Sequence, residues 1–358
     1  MINLVPLLSY RTKTKNISNV IWSPDGEYLA LVSRTDRSLD LVQSRTGQEV
    51  YHGVQEISIH TAAWSPDSRL LALGGKDASS HKVSDAGIGG MLLFDVHRQQ
   101  VVQTFTSIEA VSALAWSAHN PFMSRAAREV TVWEREQWKK ISTIQAKDSC
   151  AANYAGWLQD GQHLLVAWTT QGQEIERTFT IYEATTGKHI DSIEVDKSPR
   201  TDDASLRDAM AIRSLALAPT GTALAVAGVW SAVENDPEAP LLGIISLIDL
   251  ATGQERRLAA GIFGRSLRGP FTESICWSYD GRLLTTSGWL SRQAAFLIFD
   301  AATGNAVDFT VAGQRSGPTM AQNVPAIRAL AWSPGDNRLA VATSEICDIY
   351  QAVEDLSV

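Results

Sequence analysis

The groups in this chain that could do acid–base, nucleophilic or metal chemistry are seven histidines, three cysteines and scattered carboxylates, and their spacing suits none of these tasks. No His-Glu-x-x-His or His-x-His pair offers two imidazoles to one metal ion. His60 and His119 fall beside predicted turns and read as surface or packing residues. Cys150, Cys276 and Cys347 are far apart, odd in number and include no Cys-x-x-Cys pair, so neither a zinc site nor a disulfide framework is expected. Reduced, mostly buried thiols fit a cytoplasmic location. Asp202, Asp203 and Asp208 lack the ligand spacing of a calcium loop. Asp85-Ala86-Gly87-Ile88-Gly89-Gly90 is glycine-rich, but no helical pattern follows it, so it lacks the strand–turn–helix setting of a phosphate cradle. There is no Gly-x-Ser-x-Gly elbow. These residues predict no enzyme, no cofactor and no metal.

The residues that could bind rather than react are aromatic and charged. Trp168, Trp230 and Trp289 each stand near the end of a predicted strand, at corresponding places in three successive repeats. Trp is enriched at binding anchors, so the trio reads as a hot-spot arc or as packing over strand ends. Glu234, Asp236 and Glu238 make an acidic loop tip. Phe263, Arg265, Arg268 and Phe271, with Arg315, make a basic and aromatic neighbourhood in two later loops. Such groups are solvated loop surface or electrostatic complements to a partner.

The elements that position them are repeated. An apolar strand, a turn and a second apolar strand recur at Trp22-Ser23-Pro24-Asp25-Gly26, Trp64-Ser65-Pro66-Asp67-Ser68, Trp116-Ser117-Ala118-His119-Asn120 and Trp157-Leu158-Gln159-Asp160-Gly161. They recur again at Leu217-Ala218-Pro219-Thr220-Gly221, Trp277-Ser278-Tyr279-Asp280-Gly281 and Trp332-Ser333-Pro334-Gly335-Asp336. Pro presets the first corner of a type I turn, Asp bonds the local backbone and Gly takes positive φ, so each copy closes a hairpin. Most copies are followed by an apolar strand that ends near an acidic residue and then reaches Thr-Gly, as in Leu39–Gly47, Phe179–Gly187, Ile244–Gly253 and Phe296–Gly304. This marks a second hairpin. Each repeat is therefore four strands, A to D, with short A–B and C–D turns.

A parallel solenoid has a shorter period and no hairpins, so the expected fold is all-β: a seven-bladed β-propeller of four-stranded antiparallel blades. The blades fall at 17–54, 57–106, 110–145, 150–195, 211–259, 272–312 and 326–351, within one domain spanning 1–358. The last repeat has only three strands. The unpaired apolar segment at residues 2–10 is expected to supply the fourth and close the ring.

With these motifs, the chain resembles the bacterial branch of the WD-repeat propellers over essentially its whole length. The Trp-Ser-Pro-Asp-Gly turn is also similar to those of TolB-like and prolyl-oligopeptidase-type propellers, whose catalytic domain has no counterpart here. The Trp-Asp pair of the family is replaced by Phe94-Asp95, Trp133-Glu134, Tyr182-Glu183, Ile248-Asp249 and Phe299-Asp300. The family's Gly-His pair is missing. The resemblance implies a binding platform for proteins or peptides.

Insertions single out one end of the blades. They fall at Gly74–Gly90, Glu194–Arg213, Gly228–Leu242, Gly261–Thr272 and Val311–Pro325, all in B–C or D–A connections, conventionally the top face. Insertions gathered on one face of a repeat protein mark a binding face. A formal net charge of −8 without a long basic run argues against nucleic acid as the partner. The apolar stretch at residues 1–11 is too short for a signal peptide or a membrane span, and no transmembrane segment follows. The expected function is a non-catalytic, cytoplasmic interaction scaffold with a protein or peptide on its top face. A propeller with a small ligand at its channel, or an accessory subunit of a signalling or defence assembly, are the alternatives.

Overall fold

The serine of the repeated turn, rather than its proline, holds the A–B hairpin together. In the computed structural model, Ser23 Oγ donates to Asp25 Oδ1 at 2.5 Å and accepts from Tyr28 N at 2.9 Å, while Gly26 N donates to Ser23 O at 2.8 Å. The same triangle is built by Ser65 with Asp67 and Leu70, and by Ser278 with Asp280 and Leu283. These serines are buried, so each hydroxyl satisfies groups that water cannot reach. Gly26, Gly161, Gly221 and Gly281 take φ between 65° and 72° at the last corner. Ser68 takes it too, at 58°.

The C–D turns have their own logic. Asp249 Oδ1 accepts from Ala251 N, Thr252 N and Thr252 Oγ1, and Asp300 accepts from Thr303 N and Oγ1. Hydrogen bonds to the charged form hold both carboxyls below the usual carboxylate range, led by the Thr252 hydroxyl at Asp249 and by the Thr303 amide at Asp300. That is the physical content of the acidic residue followed by Thr-Gly.

The structure describes residues 2–77, 89–107, 109–146, 150–170, 175–194, 210–231, 241–260, 274–290, 293–311 and 326–354. All regular elements among them are strands, in seven four-stranded antiparallel sheets. No helix among the described residues is long and apolar enough to cross a membrane.

Two compact units contain these sheets. Thr12–Glu194 holds blades 1 to 4, with strand A of each at Ile17–Trp22, Ile57–Trp64, Ala113–Trp116 and Cys150–Trp157. Met1–Arg11 with Val195–Val358 holds blades 5 to 7, with strand A at Met210–Leu217, Ile275–Trp277 and Ala329–Trp332. In blade 7 the strand Ile2–Arg11 pairs antiparallel with Ile346–Glu354, from Ile2↔Glu354 to Arg11↔Ile346. The N-terminal segment thus completes the last blade.

Within each unit the core lies between neighbouring blades. Leu39, Leu41, Ile59, Trp64, Leu71 and Phe94 form one cluster between blades 1 and 2. Phe296, Ile298, Leu330, Trp332 and Leu339 form another between blades 6 and 7. The Trp ending strand A fastens its blade to the one before. Trp64 Nε1 donates to Ile21 O at 3.3 Å, Trp116 to Ala63 O at 3.0 Å, Trp157 to Ala115 O at 3.1 Å and Trp277 to Ala216 O at 2.9 Å. Trp332 departs from the series and donates to Thr285 Oγ1 at 2.8 Å.

Three loops are shorter than the sequence suggests, and the one expected at Glu194–Arg213 ends early because strand A of blade 5 already begins at Met210. Strand B of blade 2 runs on to Asp77 and strand C starts at Gly89, pairing Gly75 with Gly90 and Lys76 with Gly89. Glycine is needed there because a Cβ on Gly75 would lie 1.8 Å from Ser58 O, and one on Gly89 1.8 Å from Glu109 O. Gly89 and Gly90 therefore serve a strand. Blade 5 likewise extends strand B to Ser231 and resumes at Leu241.

Candidate functional site

One position in the C–D turn requires a left-handed backbone in six blades. Glycine fills it at Gly47, Gly187, Gly253 and Gly304, with φ between 69° and 78°. Blade 2 uses Gln99 at 55°, and blade 3 uses Trp138 at 52°. A bulky aromatic residue at positive φ is costly and is retained only where its surroundings hold it. Trp138 is held by Phe105, at 5.6 Å between ring centroids, and by Trp116, edge-on at 5.9 Å. Phe105 also meets Trp133 at 5.2 Å, and Trp133 Nε1 donates to Thr131 Oγ1 at 3.1 Å. Three tryptophans and a phenylalanine thus gather at the A–B and C–D turn end of blades 2 and 3, all partly buried against one cluster.

Arg135 covers the exposed side of this group. Its guanidinium carbon lies 5.7 Å from the centroid of Trp116, within cation–π range, and Nη2 reaches Asp67 Oδ2 at 2.5 Å. Arg135 N also donates to Pro121 O at 2.7 Å, which ties the turn to the neighbouring hairpin. Burial raises the pKa of the Asp67 carboxyl. Hydrogen bonds from Arg135 and Ser65, with the charge of Arg135, outweigh that and hold it below its ordinary value.

Beside it runs an open groove of about 420 Å³, lined by apolar Pro66, Trp116 and Pro121 and by polar Asp67, Arg135 and Glu136. Asn120 also lines the groove, and its Nδ2 donates to Gly161 O of blade 4 at 2.9 Å. The groove carries no nucleophile activated by a base. It offers an aromatic platform, a guanidinium with donors to spare and two prolines, which is the chemistry of recognition.

The residues singled out in the sequence fare differently. Trp168 is 6% exposed and its Nε1 donates to Thr180 Oγ1 at 2.8 Å, within the core between blades 3 and 4. Its ring packs in the core between the blades, and not over the strand ends. Trp230 and Trp289 lie in strands Ala223–Ser231 and Leu283–Leu290, paired with Met210 and Ala294. Glu234, Asp236, Glu238, Phe263, Arg265, Arg268, Phe271 and Arg315 lie outside the described residues, as do Asp202, Asp203 and Asp208.

A second constellation is buried in blade 1. Asp40 is fully buried and accepts from Lys13 N at 3.2 Å, Thr14 N at 3.1 Å and Thr14 Oγ1 at 2.9 Å, and pairs with His52 Nδ1 at 2.5 Å. A carboxylate with four partners is a structural clamp. It fastens the segment entering strand A to strands C and D. Burial pushes the thiol of Cys276 up to about 12 and raises that of Cys347 as well, which leaves both inert. Among the described residues no group of three or more His, Cys, Asp or Glu could hold a metal ion.

No protein-family model matches the chain, and no curated protein matches it in sequence. Among solved structures, the β-propeller domain of Cps50 (Swd1) from Myceliophteria thermophila matches 99% of this chain and 100% of its own length, with a TM-score of 0.67 and 13% identity. At that identity the likeness carries the fold alone. The fold is a seven-bladed β-propeller of four-stranded antiparallel blades.

Proposed function

We propose that the protein is a non-catalytic interaction scaffold of the WD-repeat type, working in the cytoplasm, which holds a protein or peptide partner in the groove at the turn end of blades 2 and 3. The observation that carries this reading is Trp116, which lines the groove with the Arg135 guanidinium over its ring and packs against Trp138, an aromatic side chain kept at φ 52° where four other blades use glycine. Trp and Arg supply most of the energy at protein interfaces, and a rigid aromatic–guanidinium stack loses little entropy when a partner docks. The acidic net charge of −8 supports a protein partner over nucleic acid.

The test is affinity capture from native lysate with wild type and with Arg135→Ala, read by quantitative mass spectrometry. A partner depleted about tenfold or more in the variant, at unchanged melting temperature, supports the groove; that depletion corresponds to roughly 1.4 kcal/mol. An identical set of partners with both proteins sinks the groove as the binding site. The long B–C and D–A insertions favour a second reading, in which the partner sits at the opposite, loop end. A partner lost only with Trp230→Ala/Trp289→Ala assigns the contact there.

A further inference from the structure

A propeller leaves the outer edge of every blade unpaired, and proteins blunt such edges with charge, proline or a bulge so that they do not pair with other chains. All seven outer strands here have a register shift, beside the C–D turn in blades 1 to 4 and 6 and within the strand in blades 5 and 7. Six add a second device. Ile2–Arg11 carries Pro6 and Arg11, Glu49–Val54 carries Glu49, and Lys139–Ile144 carries two lysines. His189–Glu194, Glu255–Ala260 and Ala306–Val311 carry acidic residues or arginines.

The outer strand of blade 2, Gln100–Ser107, has neither charge nor proline. It has eight residues where five of the other six have six. Its shift leaves Val102 unpaired, and from Gln103 to Ser107 it runs in regular register against Gly89–Leu93. Six of its eight side chains are exposed, including Val101 and Val102, each at 39%. Phe105 anchors it inward on Trp133 and Trp138, so the edge is presented on a firm base.

We propose that this edge is a homodimer interface, in which Gln103–Ser107 pairs antiparallel with the same segment of a second copy about a two-fold axis at Phe105. The segment is self-complementary. An isologous contact places a strand against itself, so any run of like charge repels its own copy, and this strand has none. About Phe105, Thr104 falls opposite Thr106 of the second copy and Gln103 opposite Ser107. Both are neutral, hydrogen-bonding pairs, and the β-branched threonines suit the sheet.

Sedimentation equilibrium and light scattering across a concentration series test this with three proteins. Wild type is expected to approach the mass of two chains as concentration rises. Thr104→Lys/Thr106→Lys opposes like charges twice and is expected to raise the dimer Kd by about tenfold or more. Thr104→Lys/Thr106→Glu opposes unlike charges in the same register and is expected to keep the dimer. Both positions are exposed, so circular dichroism and melting temperature should match wild type in all three. A wild type that stays monomeric throughout, a double-lysine variant that dimerises unchanged, or a Lys/Glu variant that fails like the double-lysine one overturns the proposal. None of these outcomes bears on the groove, whose test reads a different protein.

Discussion

Trp138 meets the edge of Trp116 at 5.9 Å from a backbone position that glycine occupies in four other turns. The two effects have opposite signs. Positive φ costs a non-glycine residue of order 1 kcal/mol, while each aromatic pair contributes about 0.5–1.5 kcal/mol beyond area burial. Trp138→Gly relieves the first but loses two such pairs and the buried area of the ring, and should lower the unfolding free energy by about 1–3 kcal/mol. Trp138→Ala loses the contacts without relieving the backbone, and should be less stable than the glycine variant by about 1 kcal/mol. Urea unfolding followed by circular dichroism ranks them; an alanine variant as stable as the glycine one removes the argument from strain.

Asp40 is the most heavily engaged carboxylate of blade 1. Asp40→Ala strands the Thr14 hydroxyl, two backbone N–H groups and His52. Breaking a buried charged network by removing one partner costs about 3–5 kcal/mol. Asp40→Asn keeps one acceptor oxygen and should cost less than half of that. Chemical unfolding of the two variants checks the order, and hydrogen exchange should localise early opening to the amides of Lys13 and Thr14. Equal, small losses in both would mean that the cluster is solvated and dispensable.

His60 provides a pH dependence. Burial, then the charges of Arg34 and Lys76, lower its pKa to about 4 from an ordinary 6.5. The unfolded chain therefore takes up a proton near pH 6.5 that the folded protein refuses until about pH 4. Stability contributed by the neutral ring is present above pH 6.5 and falls between pH 6.5 and pH 4. The loss is about 1–2 kcal/mol after allowing for partial solvation of the ring. His60→Gln should flatten that part of the stability profile, measured by melting temperature from pH 4 to pH 7. An unchanged slope would assign the acid sensitivity to other groups.

Much of the fold is legible in the sequence because its signals are local. Trp-Ser-Pro-Asp-Gly and acidic–Thr-Gly each specify a hairpin through hydrogen bonds within a few residues, and a strand missing from the last repeat points to the free segment at residues 2–10. The groove was not legible for the same reason inverted. Glu134–Lys139 departs from the turn pattern, and a departure looks like noise until Trp138 is seen at the glycine position beside Phe105, which belongs to another blade. Strand C hides a similar signal. Asp40, Thr131, Thr180 and Ser246 occupy equivalent places, and each is a buried polar residue joined to a group outside its own strand or to the next strand. Apolar periodicity passes over them, because a lone polar residue in a buried strand reads as an irregularity when its partner is unknown. Trp168 shows the converse. Its type and spacing suit an anchor, but only the direction of its side chain decides, and that direction lies inward toward Thr180.

The pairing of Ile2–Arg11 with Ile346–Glu354 also has a kinetic meaning. Ile2–Arg11 is made well before its partner, so the two cannot pair until all the intervening strands have been synthesised. Contacts between such distant residues raise contact order and slow folding, although the entropy of closing so long a loop grows only logarithmically with its length. Moving residues 2–11 to follow residue 354 through a short linker would make that contact local. The native state would keep its pairing, and the final folding step would become faster.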